Sequence, residues 1–168
     1  MARAPLKPVA AGYIAGLIDG EGTITLTRVH RNENRRLVVS ISNNDLALLQ
    51  FVRKVVGAGR ITTKRTYSPR HAPSFTYQLS SRQALELLRQ TAPLLLSYKA
   101  ARARLAIAEY VLLTPRNGKY GPGQRARRSE FEARFLAIRP QPAGFDGRRL
   151  PYTRLGQVAL QPHASRYL

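Results

Sequence analysis

The sequence predicts an α+β domain built on an antiparallel sheet, and three observations lead there. Two pairs of alternating segments read as hairpins, and each pair follows a helical segment. The opening helix carries two faces of buried character, which a helix on an ordinary surface does not. Hydrophobic residues make up 43% of the 168, enough for a core in one domain of ordinary size.

The first helix is expected over Ala10 to Gly20. Gly12, Ala15, Gly16 and Asp19 fall at helical spacing on a stripe of small residues and one acid, opposite Tyr13, Ile14, Leu17 and Ile18. Gly22 then opens a strand in which Thr23, Thr25 and Thr27 alternate with Ile24 and Leu26. A basic loop from His30 to Arg36 leads into Leu37, Val39 and Ile41, which alternate with Val38, Ser40 and Ser42. Asn43-Asn44-Asp45 supplies a cap for a helix through Val56, and Gly57-Ala58-Gly59 stops it. A second hairpin pairs Arg60 to Thr66 with Ser74 to Leu79. Ser80-Ser81 caps a helix through Gln90, and Pro93 separates it from a longer one over about Leu95 to Leu113. Thr114 to Gly123 reads as loop, and Phe131, Phe135, Leu136 and Ile138 mark a short amphipathic helix. The domain is expected over residues 1–138, with residues 139–168 an irregular basic tail containing several prolines. No internal duplication is visible.

Lys and Arg total 28 against nine acids, a formal net charge of +19. Such a surface is drawn to a polyanion, and nucleic acid is the leading candidate because each neutralised phosphate releases counterions. Of the 28, 23 are Arg and 5 Lys, so base composition of the genome contributes, yet that bias does not remove acids. The chain has no cysteine, hence no disulfide and no thiolate zinc site, and His30, His71 and His163 lack metal-ligand spacing. The apolar run Val9 to Ile18 is broken by Asp19 and Glu21 without a cleavage signature, and no stretch suits a bilayer. The reading is of a protein inside the cell (cytoplasm, nucleoid or organelle matrix), neither secreted nor at a membrane.

The chemistry is concentrated in Ala15-Gly16-Leu17-Ile18-Asp19-Gly20-Glu21-Gly22. Small residues at Gly12, Ala15 and Gly16 let another helix backbone approach closely. If that helix belongs to a second copy, the contact is two-fold and two Glu21 carboxylates come side by side. Acids at the negative end of a helix dipole repel, unless a divalent cation such as Mg2+ lies between them. Considered alone, Glu21 reads more readily as a solvated acid in a tight turn. The octapeptide, ending a helix and followed by an alternating strand, resembles the signature of the LAGLIDADG homing endonucleases, single-motif homodimeric type. The resemblance in element order runs from about Val9 to Leu113. Tyr13-Ile14 stands where the leading Leu is usual, and Glu21 where a second Asp is commoner.

The resemblance implies an αββαββα fold with a four-stranded saddle sheet per subunit and the motif helices at the dimer interface, where Gly12, Ala15, Gly16 and Asp19 would lie. It implies metal-dependent cleavage of double-stranded DNA at a long near-palindromic site with short 3′ overhangs. Glu21 and Gly20 would hold Mg2+, or Mn2+ or Ca2+ in its place. Asn43 stands where the family often has Gln and would position a water, its other reading being a helix cap. Lys99 matches a basic residue at the start of a later helix and would stabilise charge at the phosphate, its other reading being a surface lysine with its stem buried. Asp19 is expected to cap the neighbouring helix.

From the alternation, Thr23, Thr25, Thr27, Arg36, Ser40, Ser42, Thr62, Lys64, Thr76 and Gln78 belong to one polar sheet face. In the family such a face lies in the major groove, where strands of ~10 residues span ~33 Å, about ten base pairs. Arg31, Arg35, Arg65 and Arg70 in the hairpin loops, and the cluster Arg125, Arg127 and Arg128, are candidates for backbone phosphates. Two competitors remain: a binding-only descendant or intron-RNA maturase on the same fold, and a basic ribosome-associated protein, which explains the charge but not the motif.

Overall fold

The computed structural model describes residues 4–28, 30, 33–63, 72–115 and 120–140. Helix α1 (Pro8–Glu21) starts at a proline, whose fixed φ and missing N–H suit the first helical position. It runs directly into strand β1 (Gly22–Thr27). A Cβ on Gly22 would stand 2.6 Å from the Ile18 Cα and 2.7 Å from its carbonyl oxygen, so only glycine lets the chain fold back this tightly on its own helix.

Strand β2 (Arg36–Asn43) pairs antiparallel with β1, Gly22 opposite Ile41 and Thr27 opposite Arg36. Helix α2 (Leu46–Val56) is capped by Asp45, whose carboxylate accepts from Ala47 N at 2.9 Å and Leu48 N at 3.3 Å. Gly57, in the left-handed region, ends it. Strands β3 (Arg60–Thr63) and β4 (Phe75–Ser80) form the second hairpin, and β4 joins β2, giving the order β1-β2-β4-β3. Helix α3 (Ser81–Thr91), a 3-10 turn at Ala92–Leu94, and helices α4 (Lys99–Glu109) and α5 (Pro122–Ala137) complete the described chain.

The order αββαββα is therefore present, followed by two further helices, and the fold is α+β with an antiparallel four-stranded sheet. One face of the sheet (Ile24, Leu26, Leu37, Val39, Ile41, Tyr77, Leu79) is buried with Ile14 and Ile18 of α1, Leu49 and Val52 of α2, and Leu85 and Leu88 of α3. Two helices depart from the sequence reading in their boundaries. Helix α4 begins at Lys99 rather than Leu95, because the preceding backbone is extended and bound by a side chain from α1. Helix α5 has 16 residues and begins at Pro122, within the segment read as loop. Strand β3 is described only to Thr63; Lys64, Arg31, Arg65, Arg70 and the tail from 141 lie outside the described residues. Among the described residues no helix is long and apolar enough to cross a membrane.

Candidate active site and nucleic-acid interface

The end of α1 separates two acids that are two residues apart. Asp19 turns into its own chain: its carboxylate accepts from Leu96 N at 2.7 Å, from the Ser97 hydroxyl at 2.5 Å and from Ser97 N at 3.4 Å. It thereby fixes the turn that leads into α4. Burial works to raise its pKa, but these hydrogen bonds and the charge of Lys99 outweigh it and hold the group below the usual carboxylate range. Glu21 is exposed and, among the described residues, accepts no hydrogen bond and makes no ion pair.

Lys99 is not a surface lysine. It is 7% exposed, and its Nζ donates to the carbonyls of Ile18 at 2.8 Å and Asp19 at 2.9 Å. Burial pushes its pKa down, with the charges of Asp19 and Glu21 opposing and that of Arg102 adding. A cation on the last carbonyls of α1 offsets the negative end of its dipole, and at Ile18 O it adds a second donor to the Gly22 N–H. The carbonyl of Gly20 is not among those it occupies.

Glu21 and Asn43 meet in one open depression of about 300 Å³, together with Ser42, Asn44 and Ser74. The Asn43 side-chain oxygen accepts from Asp45 N at 2.8 Å, so Asp45 caps α2 while Asn43 braces the turn before it. The catalytic candidates from sequence therefore gather at one end of α1. Among the described residues no three carboxylate, histidine or cysteine groups are placed to hold a metal. Among the described residues this depression holds one bare carboxylate, Glu21, which fits a divalent cation as part of a donor set.

Residues directly opposite in the sheet share a face, and the register sorts the polar ones. Thr23, Ser40, Gln78 and Arg60 form one row across the sheet, Ser42, Thr76 and Thr62 another, and Thr27 with Arg36 a third. With Thr25, these are all the described residues assigned to that face from sequence. Arg60 was missed, although the period-two alternation through Thr62 implies it. Val38, also on this face, is only 4% exposed.

On α1, Gly12, Gly16 and Gly20 have no atom within 4 Å of where a Cβ would stand, so this stripe is open. Ala15 is different. At 1% exposure it belongs with Ala11, Ile14 and Ile18 to the chain's own interior.

The profile of the LAGLIDADG-like domain matches residues 8–92, from the start of α1 to the 3-10 turn. The chain belongs to this family. Among curated proteins no match is found. Among solved structures it is similar to the homing endonuclease I-CvuI in complex with its target (17% identity, 80% of this chain and 85% of that one, TM-score 0.64). It is also similar to the archaeal intron-encoded homing endonuclease I-Vdi141I complexed with DNA (16% identity, 79% and 86%, TM-score 0.54). A third likeness is to the homing endonuclease I-TnaI (15% identity, 81% and 100%, TM-score 0.56). At these identities the likeness is one of fold, and the fold is that of the homing endonucleases.

The basic cluster of α5 departs from expectation. Arg125 and Arg127 are exposed, but Arg128 is 2% exposed and donates to Glu132 at 3.1 Å, the Thr114 hydroxyl at 2.5 Å and the Arg35 carbonyl. Arg35 is likewise engaged, with Glu132 at 3.5 Å and the Leu26 carbonyl at 3.3 Å. Neither guanidinium hangs loose for a phosphate. Arg128 shares one face of α5 with Phe131 and Phe135, a helical spacing that could have revealed its burial.

Proposed function

We propose that this LAGLIDADG chain is a site-specific DNA endonuclease of the homing type, mobilising an intron or insert. It works as a homodimer and hydrolyses phosphodiesters with divalent metal at a long, near-palindromic site, leaving short 3′ overhangs. The observation that carries this reading is the place of Glu21. It is a bare carboxylate at the open end of α1, one residue before β1 and at the margin of a sheet face made of hydroxyls, an amide and arginines. The solved relatives with this fold include complexes with DNA, and I-CvuI complexes are described in the presence of Ca and of Mg.

Glu21 and Gly20 would hold Mg2+, with Mn2+ or Ca2+ able to take its place. The ion would supply a Lewis acid and a water of lowered pKa. The chain's own groups do the rest. Lys99 secures the end of α1 and sets a positive charge beside Glu21. Asn43, its oxygen held by Asp45, keeps its amide NH2 group for a water or phosphate oxygen. Two strands need two acids, and the open glycine stripe suits a second copy of α1. Exposed Val9, Tyr13, Phe51, Leu94 and Leu96 supply apolar surface for such a contact. The endonuclease unit is assigned to residues 1–138, α5 ending at Ala137 with the Ile138 carbonyl held by Arg102 at 2.9 Å, and residues 139–168 form the tail.

The test is cleavage of a duplex library with Mg2+ and with EDTA. Double-strand cuts at one enriched site are expected, abolished by EDTA and reduced by on the order of a thousandfold or more in Glu21→Gln, with binding retained. Tight binding without cleavage in Mg2+ or Mn2+ would overturn the nuclease and leave a binding role, on DNA or intron RNA.

A further inference from the structure

The polar sheet face is graded in chemistry along its length. The row nearest Glu21 is Ser42–Thr76–Thr62, hydroxyls only; Ser42 lines the same depression as Glu21, and the Ser42 and Thr76 hydroxyls already bond each other at 3.0 Å. One step outward, ~7 Å along the strands, the row contains Gln78 and Arg60. Two further steps, ~13 Å, reach Arg36 opposite Thr27. Between them Thr25 and Ser80 flank Val38, which has neither donor nor acceptor in its side chain.

The long side chains also frame a shape. Arg36, Arg60, Gln78 and Gln83 line a concavity of about 450 Å³ on this face. The backbone before Arg60 is firmly placed. Gly59 has φ +90° and a Cβ there would stand 2.6 Å from the Tyr77 ring, while the Tyr77 hydroxyl donates to the Ala58 carbonyl at 2.9 Å. Among the described residues Arg60 has no hydrogen-bond or ion-pair partner. Among the described residues the Arg36 side chain pairs with exposed Glu33 at 3.5 Å, a contact that costs little to open.

We infer that sequence discrimination is concentrated in the outer part of each half-site, where Arg60, Gln78 and Arg36 read base edges, while the hydroxyl row beside Glu21 is permissive. The inference rests on the endonuclease reading and goes beyond it by ranking positions. Arginine pairs two donors with the O6 and N7 of guanine and glutamine fits adenine, whereas serine and threonine accept several bases. At 3.4 Å per base pair, Gln78 and Arg60 fall ~2 base pairs outward of the hydroxyl row, and Arg36 ~6.

Selection of the full-length chain on a randomised duplex library tests this. Arg60→Ala is expected to relax preference at one symmetric pair of positions by about tenfold or more, and Arg60→Lys to do so while keeping overall affinity. Ser42→Ala with Thr62→Ala is expected to change the preferred site little. A uniform affinity loss in Arg60→Ala with an unchanged site would overturn the inference, as a mere phosphate contact. A sharper relaxation from the hydroxyl variants would overturn it too. Failure of the unmodified chain to enrich any duplex would overturn the endonuclease reading and this inference together, an outcome distinct from the first two.

Discussion

The two ends of the β1–β2 hairpin treat their polar groups in opposite ways. At the loop end the buried polar groups among the described residues are occupied. The Arg128 guanidinium lies over the rings of Tyr110 at 4.9 Å and Phe131 at 5.4 Å, and binds Glu132, Thr114 and the Arg35 carbonyl. The Tyr110 hydroxyl accepts from Leu37 N at 3.2 Å. At the α1 end, Glu21 is bare and exposed, and the glycine stripe leading to it touches nothing. Buried polar groups must find partners inside the chain, and none of the buried side-chain polar atoms among the described residues lacks one. Exposed groups carry no such requirement and stay available to other molecules. A basic residue in this chain is therefore not automatically a nucleic-acid ligand, and part of its +19 charge is spent on bracing the fold.

Breaking the closed end should give the largest effect on stability. Arg128→Met leaves three oxygens without a buried donor, with an expected cost of about 3 kcal/mol and a fall in Tm on the order of 10 °C. Thermal unfolding and DNA affinity should be read together. An unchanged Tm with weakened binding would make Arg128 the phosphate ligand that its sequence neighbours suggest and would dissolve the contrast.

The stripe on α1 should respond in the opposite sense. A Cβ at Gly16 meets no atom of its own chain, so Gly16→Leu is expected to leave a single chain as stable as before or up to about 1 kcal/mol more stable, through helix propensity. Close approach of a second α1 is blocked, and self-association measured by sedimentation should weaken by about a hundredfold or more. Undiminished association would place the dimer contact elsewhere.

What was legible in the sequence was whatever depends on local period. Thr23, Thr25, Thr27, Ser40, Ser42, Thr76 and Gln78 share a face because alternation is a property of each strand alone. The octapeptide singled out Glu21 and the sequence neighbourhood singled out Lys99, and the structure places both at the end of α1. The misses all needed information from a distance or a finer angle. Helix α4 starts late because Asp19, 77 residues before Leu96, holds the turn in front of it. The Lys99 ammonium faces carbonyls 80 and 81 residues away in sequence, a contact that no local pattern announces. Ala15 was grouped with Gly12 and Gly16, yet one helical step of ~100° separates Ala15 from Gly16 and turns it inward.

The smallest expected effect sharpens the contrast between the two acids of α1. The folded pKa of Asp19 lies below its ordinary value of 3.8, so its carboxylate stabilises the fold fully above that value. The contribution is lost as pH falls through the folded value. Asp19→Asn keeps an acceptor for Leu96 N but removes the charge, at an expected cost of about 1 kcal/mol near neutrality, since the site is partly open to solvent. The difference in Tm between the two proteins should shrink steadily as the pH falls below 3.8. A difference independent of pH would mean that the hydrogen bonds to Leu96 and Ser97 matter and the charge does not. Asp19 would then brace the turn as a neutral acceptor does, and the charge of α1 that has consequences would be that of Glu21 alone.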